Sequence, residues 1–81
     1  MVISYSPVAI KWLSSSSPYI RKRIINKIKF FASQENPKIY AVRLVDSKSY
    51  RFRIGDYRVI CDIGLDLIDV LVIGKRDEIY R

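Results

Sequence analysis

The sequence predicts an α+β fold with an N-terminal strand, a two-helix hairpin and a three-stranded antiparallel meander, the helices packing on one sheet face. Two observations lead to this prediction. Apolar residues recur with a helical period up to about residue 33, and from about Val42 they alternate with a period of two. With 81 residues that are 49% hydrophobic, the chain can bury one small core, so we expect a single domain over residues 1–81.

The N-terminal part predicts one strand and then two helices. Residues 2–5 (VISY) are short and apolar enough for a strand. Ser6-Pro7 and Ser17-Pro18 each match a helix N-cap followed by proline at the first helical position. The first helix should be short, and the second should extend over about residues 18–33. The second has apolar residues at spacings of four, four and three, which predicts one buried stripe: Ile20, Ile24, Ile28 and Phe31.

Three strands are predicted for the second half, near residues 50–54, 57–63 and 67–74. Gly55-Asp56 is a two-residue hairpin signal, because glycine supplies the positive φ that such turns need. An even-length loop before the last strand places six apolar residues on one face: Val59, Cys61, Ile63, Ile68, Val70 and Val72. The same parity predicts that Lys75 lies on the opposite, outer face.

The outer face of the predicted hairpin carries three arginines. Opposed residues of two strands share a face, so Arg51, Arg53 and Arg58 should all point to one side. Like charges directly opposite each other destabilise a sheet, whereas a planar guanidinium group binds phosphate well. The pattern favours a phosphate-binding face. The alternative is a solvated sheet face that is partly paired with acidic residues.

Composition restricts the classes of function. The net charge of +7 favours nucleic acid, a ribosome-like surface or an acidic protein as partner. No apolar run approaches the ~20 residues of a membrane span, and the N-terminus does not match a secretory signal, so we expect a cytoplasmic protein without a membrane partner. Cys61 is the only cysteine and histidine is absent, so we expect Cys61 in the core and no metal site or cofactor.

The second predicted helix contributes much of the positive charge. Five basic residues crowd the surface around its apolar stripe: Arg21, Lys22, Arg23, Lys27 and Lys29. Such a helix is most often a solvated face. The clustering also suits contacts with ribosomal RNA phosphates, whose strength would fall steeply with salt.

The stretch YRFRIGDYRVICDI, with VLVIGKRDEIYR closing the chain, resembles the RelE/ParE toxin superfamily of bacterial and archaeal toxin–antitoxin systems. The two preceding helices, the hairpin and the GKR-x3-Y ending extend the resemblance over almost the whole chain. It implies a RelE-like microbial RNase fold and the toxin component of a type II toxin–antitoxin system. RelE-like members cut messenger RNA on the ribosome and ParE-like members inhibit DNA gyrase, and both activities are open at this point.

For the RelE branch, the resemblance implies a metal-independent ribonuclease. The 2′-OH of the target nucleotide is then the nucleophile, and a 2′,3′-cyclic phosphate remains. On this mapping Arg58 and Arg76 clamp the scissile phosphate, and Tyr80 stacks on or orients the nucleotide. The RNA backbone would be held by three basic residues: Lys48, Arg51 and Arg53.

Two departures from the family pattern concern proton transfer. Some relatives have lysines in place of Arg51 and Arg53, and a lysine can act as a base far more easily than a guanidinium group. Many relatives carry a histidine beside the last-strand arginine, where this chain has Lys75. Lys75 is therefore our candidate for proton transfer. Asp56 is a weaker candidate, because its place in a turn already explains it.

The resemblance also implies partners. An acidic RelB-like antitoxin could wrap the basic surfaces and fold as it binds. The ribosome and messenger RNA would be the partners of a RelE-like toxin. A plain nucleic-acid-binding domain without toxicity is a third possibility that the composition leaves open.

Overall fold

The computed structural model describes residues 1–79, in which five strands form one mixed sheet. In chain order the elements are β1 (Val2–Tyr5), α1 (Pro7–Ser15), α2 (Pro18–Ser33), a 3-10 helix (Pro37–Tyr40), β2 (Ala41–Arg43), β3 (Tyr50–Ile54), β4 (Tyr57–Ile63), β5 (Leu67–Lys75) and α3 (Arg76–Ile79). The strand order is β1-β5-β4-β3-β2. The predicted strands and both predicted helices are confirmed.

Both edges of the sheet extend beyond the predicted meander. β1 pairs with β5 in parallel, with Val2 opposite Leu67 and Tyr5 opposite Val70. On the other edge, β2 pairs with β3 in the antiparallel sense, with Val42 opposite Arg51. Three elements were not predicted from the sequence: β2, the 3-10 helix before it, and α3. None of the helices within residues 1–79 is long and apolar enough to cross a membrane.

Side-chain hydrogen bonds fix the ends of the two main helices. The Ser6 and Ser17 hydroxyls accept from the main-chain N–H of Ala9 and Ile20, at 3.1 and 3.3 Å. Each hydroxyl thereby satisfies one of the N–H groups that the first helical turn leaves without a partner. The Ser6 hydroxyl also donates to the Leu71 carbonyl at 2.6 Å, so this cap links α1 to β5.

The core lies between the two helices and one face of the sheet. Its centre is the Phe52 ring, which is fully buried and stacks on Phe31 of α2 with 4.2 Å between ring centroids. Cys61 is also fully buried, as predicted. The other buried apolar residues come from α1, α2 and the three central strands: Ala9, Leu13, Ile24, Ile28, Ala32, Ile54, Val59, Ile68, Val70 and Ile73.

The pairing of β4 with β5 corrects the predicted parity. Near the loop the prediction holds, since Cys61 lies opposite Val70. The register then shifts between Ile60 and Cys61, and Leu71 is left as an extra residue of β5 without a partner in the β4 register. Val59 therefore pairs with Ile73 rather than with Val72. A bulge reverses the faces of all residues beyond it. Ile73 is therefore buried, and Val72, which was predicted to face the core, is exposed.

The same bulge shows that the predicted position of Lys75 was wrong. Lys75 lies opposite Tyr57, whose ring packs edge-on against Trp12 of α1 at 5.7 Å. It therefore belongs to the helix side of the sheet and not to the outer face with the arginines.

The two caps differ in a way that unfolding experiments can measure. We expect Ser6→Ala to lower the free energy of unfolding by about 2 kcal/mol, because it removes a cap and a long-range hydrogen bond. Ser17→Ala removes only a more exposed cap, so about 1 kcal/mol or less is expected. Urea denaturation of the two variants beside the parent protein provides the comparison. Equal losses would contradict the link between α1 and β5.

Cys61 should be unreactive in the native protein. Burial, together with the nearby Asp62 and Asp69, raises the pKa of the Cys61 thiol from 9.0 to about 12. The unfolded chain therefore releases this proton first as the pH rises, so ionisation of Cys61 lowers the free energy of unfolding between about pH 9 and pH 12.

We expect iodoacetamide at about pH 9 to leave native Cys61 unmodified and to alkylate it in urea, as measured by mass spectrometry. Rapid alkylation of the native protein would show that the thiol is accessible.

Candidate active site

The outer face of the sheet contains a cavity of about 460 Å³ that is lined by arginines. We call it the arginine cavity and define it by its lining residues: Tyr40, Val42, Arg51, Arg53, Arg58 and Arg76. The strand register places Arg53 directly opposite Arg58 and Phe52 opposite Val59, as the hairpin pattern predicts. Because side chains alternate, one pair of strands carries arginines on the outer face and core residues on the other.

The arginines share this cavity because of the tight turn between β3 and β4. Ile54 pairs with Tyr57, and Gly55 between them has a φ of 58°, in the left-handed region that favours glycine. The turn also packs closely against α2. A Cβ atom at Gly55 would lie only 2.6 Å from Nη2 of Arg23.

Arg58 is held inside the cavity wall and is not a solvated surface residue. Its side chain is only 7% exposed, and its Nη1 atom donates to the carbonyls of Gly55 at 2.8 Å and Tyr57 at 2.9 Å. A buried charge is tolerated only where hydrogen bonds replace its hydration. Both Nη1 protons are used by the turn, so Nε and Nη2 are the atoms with which Arg58 can bind a ligand.

Arg76 reaches the same cavity from the end of β5. Its main-chain N–H donates to the Asp56 carbonyl at 2.9 Å, which ties the start of α3 to the hairpin turn. Its side chain is exposed, as is that of Arg53. The carbonyls of three successive turn residues thus accept hydrogen bonds from Arg58 or Arg76.

The cavity is strongly electropositive. Within residues 1–79, its lining contains four arginines and no acidic side chain. The acidic residues of the outer face lie toward the other end of the sheet, where Asp62 is opposite Asp69. Their carboxylates accept hydrogen bonds of 2.7 Å from the hydroxyls of Ser49 and Ser4. The lining therefore presents positive charge to an anionic ligand, and a guanidinium group matches phosphate oxygens in geometry as well as in charge.

Some predicted site residues lie elsewhere. Lys48 is exposed in the β2–β3 loop and lines a separate depression with Arg43 and Asp46. Lys75 lines neighbouring clefts with Tyr57 and not the arginine cavity. Tyr80 lies outside the described residues.

The basic residues of α2 do not form one uniform surface. Arg21 caps the end of α1 by donating to the carbonyls of Leu13, Ser14 and Ser16 at 2.8, 3.3 and 3.0 Å, which explains it structurally. The other four predicted contact residues are exposed: Lys22, Arg23, Lys27 and Lys29. The Lys27 ammonium group lies over the Phe30 ring, 4.8 Å from its centroid.

Tyr40 and Val42 are cavity residues that the sequence analysis missed. Tyr40 ends the 3-10 helix that leads into β2, and Val42 lies within β2, a strand of three residues. The signal was the short alternation in IYAVR, which carries no turn motif to mark it as a strand. Its pairing with β3 brings Val42 opposite Arg51.

Several solved toxin structures have a similar fold. The RelBE2 toxin–antitoxin complex from Mycobacterium tuberculosis contains a chain with a TM-score of 0.82 at 19% identity, covering 93% of this chain and 96% of that one. The RelB–RelE complex from Methanococcus jannaschii contains a chain with a TM-score of 0.73 at 22% identity, covering 95% of this chain and 94% of that one. The isolated E. coli RelE toxin has a TM-score of 0.72 at 17% identity, and the match covers 96% of this chain and 88% of that one. At these identities the likeness concerns the fold, which is that of RelE toxins.

The sequence of this chain shows the family to which it belongs. The family model described as the ParE toxin of the type II toxin–antitoxin system, parDE, matches residues 3–80. The chain therefore belongs to this family, within the RelE/ParE superfamily, and is the toxin of a type II toxin–antitoxin system. No curated protein matches the sequence significantly.

The turn that orients Arg58 can be tested with two glycine variants. We expect Gly55→Ala to lower the free energy of unfolding by about 1 kcal/mol or more, since it introduces a left-handed alanine and displaces Arg23. Gly64→Ala is the matched control, because Gly64 has no left-handed φ and a Cβ there would lie 3.8 Å from its nearest neighbour. Urea denaturation would contradict the turn geometry if both variants were equally stable.

Proposed function

We propose that this toxin is a ribosome-dependent endoribonuclease that inhibits translation by cleaving messenger RNA. The observation that supports this proposal is the arginine cavity, in which four guanidinium groups line one space without an acidic residue among the described lining residues. Such a cavity suits a phosphodiester whose negative charge increases during the reaction.

The reaction is an internal transfer of phosphorus. The 2′-oxygen attacks the adjacent phosphorus, a P–O2′ bond forms, and the bond from phosphorus to the 5′-oxygen breaks. The 2′-hydroxyl loses its proton to water and the leaving 5′-oxygen takes up a proton from water, so the products are a 2′,3′-cyclic phosphate and a 5′-hydroxyl end. The nucleophile is part of the substrate, so the protein must align it and stabilise the charged phosphorane.

Arg58 is suited to phosphorane stabilisation because it is already oriented. Its hydrogen bonds to Gly55 and Tyr57 keep the guanidinium group in place before the substrate binds. A donor that need not reorganise during the reaction gives the strongest electrostatic stabilisation. Exposed Arg76, anchored through its main chain to Asp56, binds the side of the phosphate near the leaving oxygen. Arg51 and Arg53 hold the neighbouring backbone.

Proton transfer contributes less than positioning in this proposal. The described lining residues are arginines, Tyr40 and Val42, and an arginine remains charged at every physiological pH. Lys75, which pairs with Tyr57 on the other face, takes no part. Tyr80 orients the nucleotide, a role that rests on the family resemblance. Charge stabilisation and alignment by the ribosome therefore determine the rate.

Two surfaces would serve the partners. The exposed lysines and Arg23 of α2, with Lys48 on the β2–β3 loop, would contact ribosomal RNA phosphates. The toxin would be silenced by an acidic RelB-like antitoxin that covers the arginine cavity, and the likeness to chains solved in RelB–RelE complexes supports this partner.

The proposal can be tested by primer extension on a translated message. We expect Arg76→Ala to reduce A-site breaks about a hundredfold or more, and Arg58→Ala to do the same, because each removes a charge at the phosphorane. Arg43→Ala is the matched control, since it removes the same charge from an exposed arginine outside the cavity. Circular dichroism checks that Arg58→Ala is folded. Full cleavage by Arg76→Ala would contradict the proposed clamp.

A second candidate function is inhibition of DNA gyrase, which the match to the ParE family model favours. In that case the protein acts by binding alone. A supercoiling assay with purified gyrase separates the two functions. Gyrase inhibition that persists in Arg76→Ala, with no breaks in translated message, would replace the ribonuclease proposal.

A further inference from the structure

We propose that Tyr40 is the nucleobase platform of the arginine cavity: one RNA base packs on its ring while the arginines bind the adjoining phosphates. This proposal rests on the proposed function only in taking single-stranded RNA as the ligand. It gives a binding role to a residue outside the arginine clamp and distant in sequence from Tyr80.

The layout of the cavity matches that of a nucleotide. Tyr40 ends the 3-10 helix and Val42 lies in β2, at one edge of the sheet. Arg51 and Arg53 follow on β3, Arg58 on β4, and Arg76 after β5. Neighbouring strands are about 4.8 Å apart, so the aromatic wall and Arg58 are separated by roughly two strand spacings. The cavity is therefore apolar and aromatic at one end and cationic at the other, like a nucleotide with its base and phosphate.

The Tyr40 ring is held in place but is not buried. It packs against Phe30 and Phe31, with ring centroids at 5.7 and 5.6 Å, and its hydroxyl donates to Oε1 of Gln34 at 3.2 Å. Phe31 is 4% exposed, whereas Tyr40 is 41% exposed and lines the cavity. A rigid aromatic surface loses little conformational entropy when a base stacks on it.

Stacking on an aromatic ring strengthens binding without depending strongly on which base is stacked. Stacking of one base on an aromatic ring strengthens binding by roughly fivefold to a hundredfold, and every base offers a suitable face. Tyr40 would therefore add affinity and position the nucleotide without selecting strongly among bases.

The test measures binding apart from cleavage. Fluorescence anisotropy follows a short labelled RNA with 2′-O-methyl groups, which block attack by the 2′-oxygen, and a ribose-phosphate chain of equal length without bases. We expect the protein to bind the base-bearing chain at least about fivefold more tightly than the abasic one. Tyr40→Leu should remove this preference, and Tyr40→Phe should retain it because the ring remains.

Ile39→Ala is the matched control, since Ile39 is 71% exposed, adjacent in sequence and not part of the cavity lining. It should bind both chains like the parent protein. Equal binding of the two chains by the parent protein would overturn the proposal even if Tyr40→Leu failed to fold. A preference that persists in folded Tyr40→Leu would also overturn it.

The outcome is separable from that of the cleavage assay. A base preference that depends on Tyr40 in a protein that makes no breaks in message would support the platform and refute the ribonuclease. Breaks in message without any base preference would support the ribonuclease and refute the platform.

Discussion

Three successive carbonyl groups, those of Gly55, Asp56 and Tyr57, hold two of the four arginines of the site, Arg58 and Arg76. Two of them accept from the Arg58 side chain and the third from the Arg76 main chain. The tight turn between β3 and β4 thus fixes one guanidinium group directly and the start of α3 beside it. If the turn changed its shape, Arg58 would lose the bonds that make its burial tolerable, and Arg76 would lose its anchor.

The cationic face is kept stable by the opposite face of the same strands. Arg53 and Arg58 are directly opposed, an arrangement that costs stability in any sheet. Phe52 and Val59 alternate with them and are fully buried, with Phe52 stacked on Phe31 of α2. Burial of these apolar groups offsets the repulsion, so the fold can keep its charges close together before a polyanion arrives. In the proposed reaction this prior arrangement is the main source of catalysis.

The hairpin and the two long helices could be predicted because their signals are local. Ser-Pro pairs mark the helix starts, and Gly55 marks the turn. The bulge in β5 could not be predicted, because Val70, Leu71, Val72 and Ile73 are all apolar and fit either parity. The error propagated to Lys75, which lies beyond the bulge.

The remaining differences arise from contacts between elements, which no local sequence pattern marks. β2 is too short to be recognised without its partner β3, and Tyr40 enters the cavity only through that pairing. Arg21 had the appearance of a surface charge on a basic helix, yet it closes the end of α1. Composition and periodicity predict which elements form, whereas these roles depend on how the elements pair and pack against one another.

The facing carboxylates of Asp62 and Asp69 make the charge on the outer sheet face asymmetric, negative at one end and positive at the other. They lie on the β4 and β5 segments next to the loop that joins these strands, whereas the guanidinium groups cluster at the opposite hairpin turn. If the ligand is RNA, as we propose, a strand that approaches this surface would be attracted at one end and repelled at the other. In the proposed function, such a field would turn the approaching RNA toward the arginine cavity.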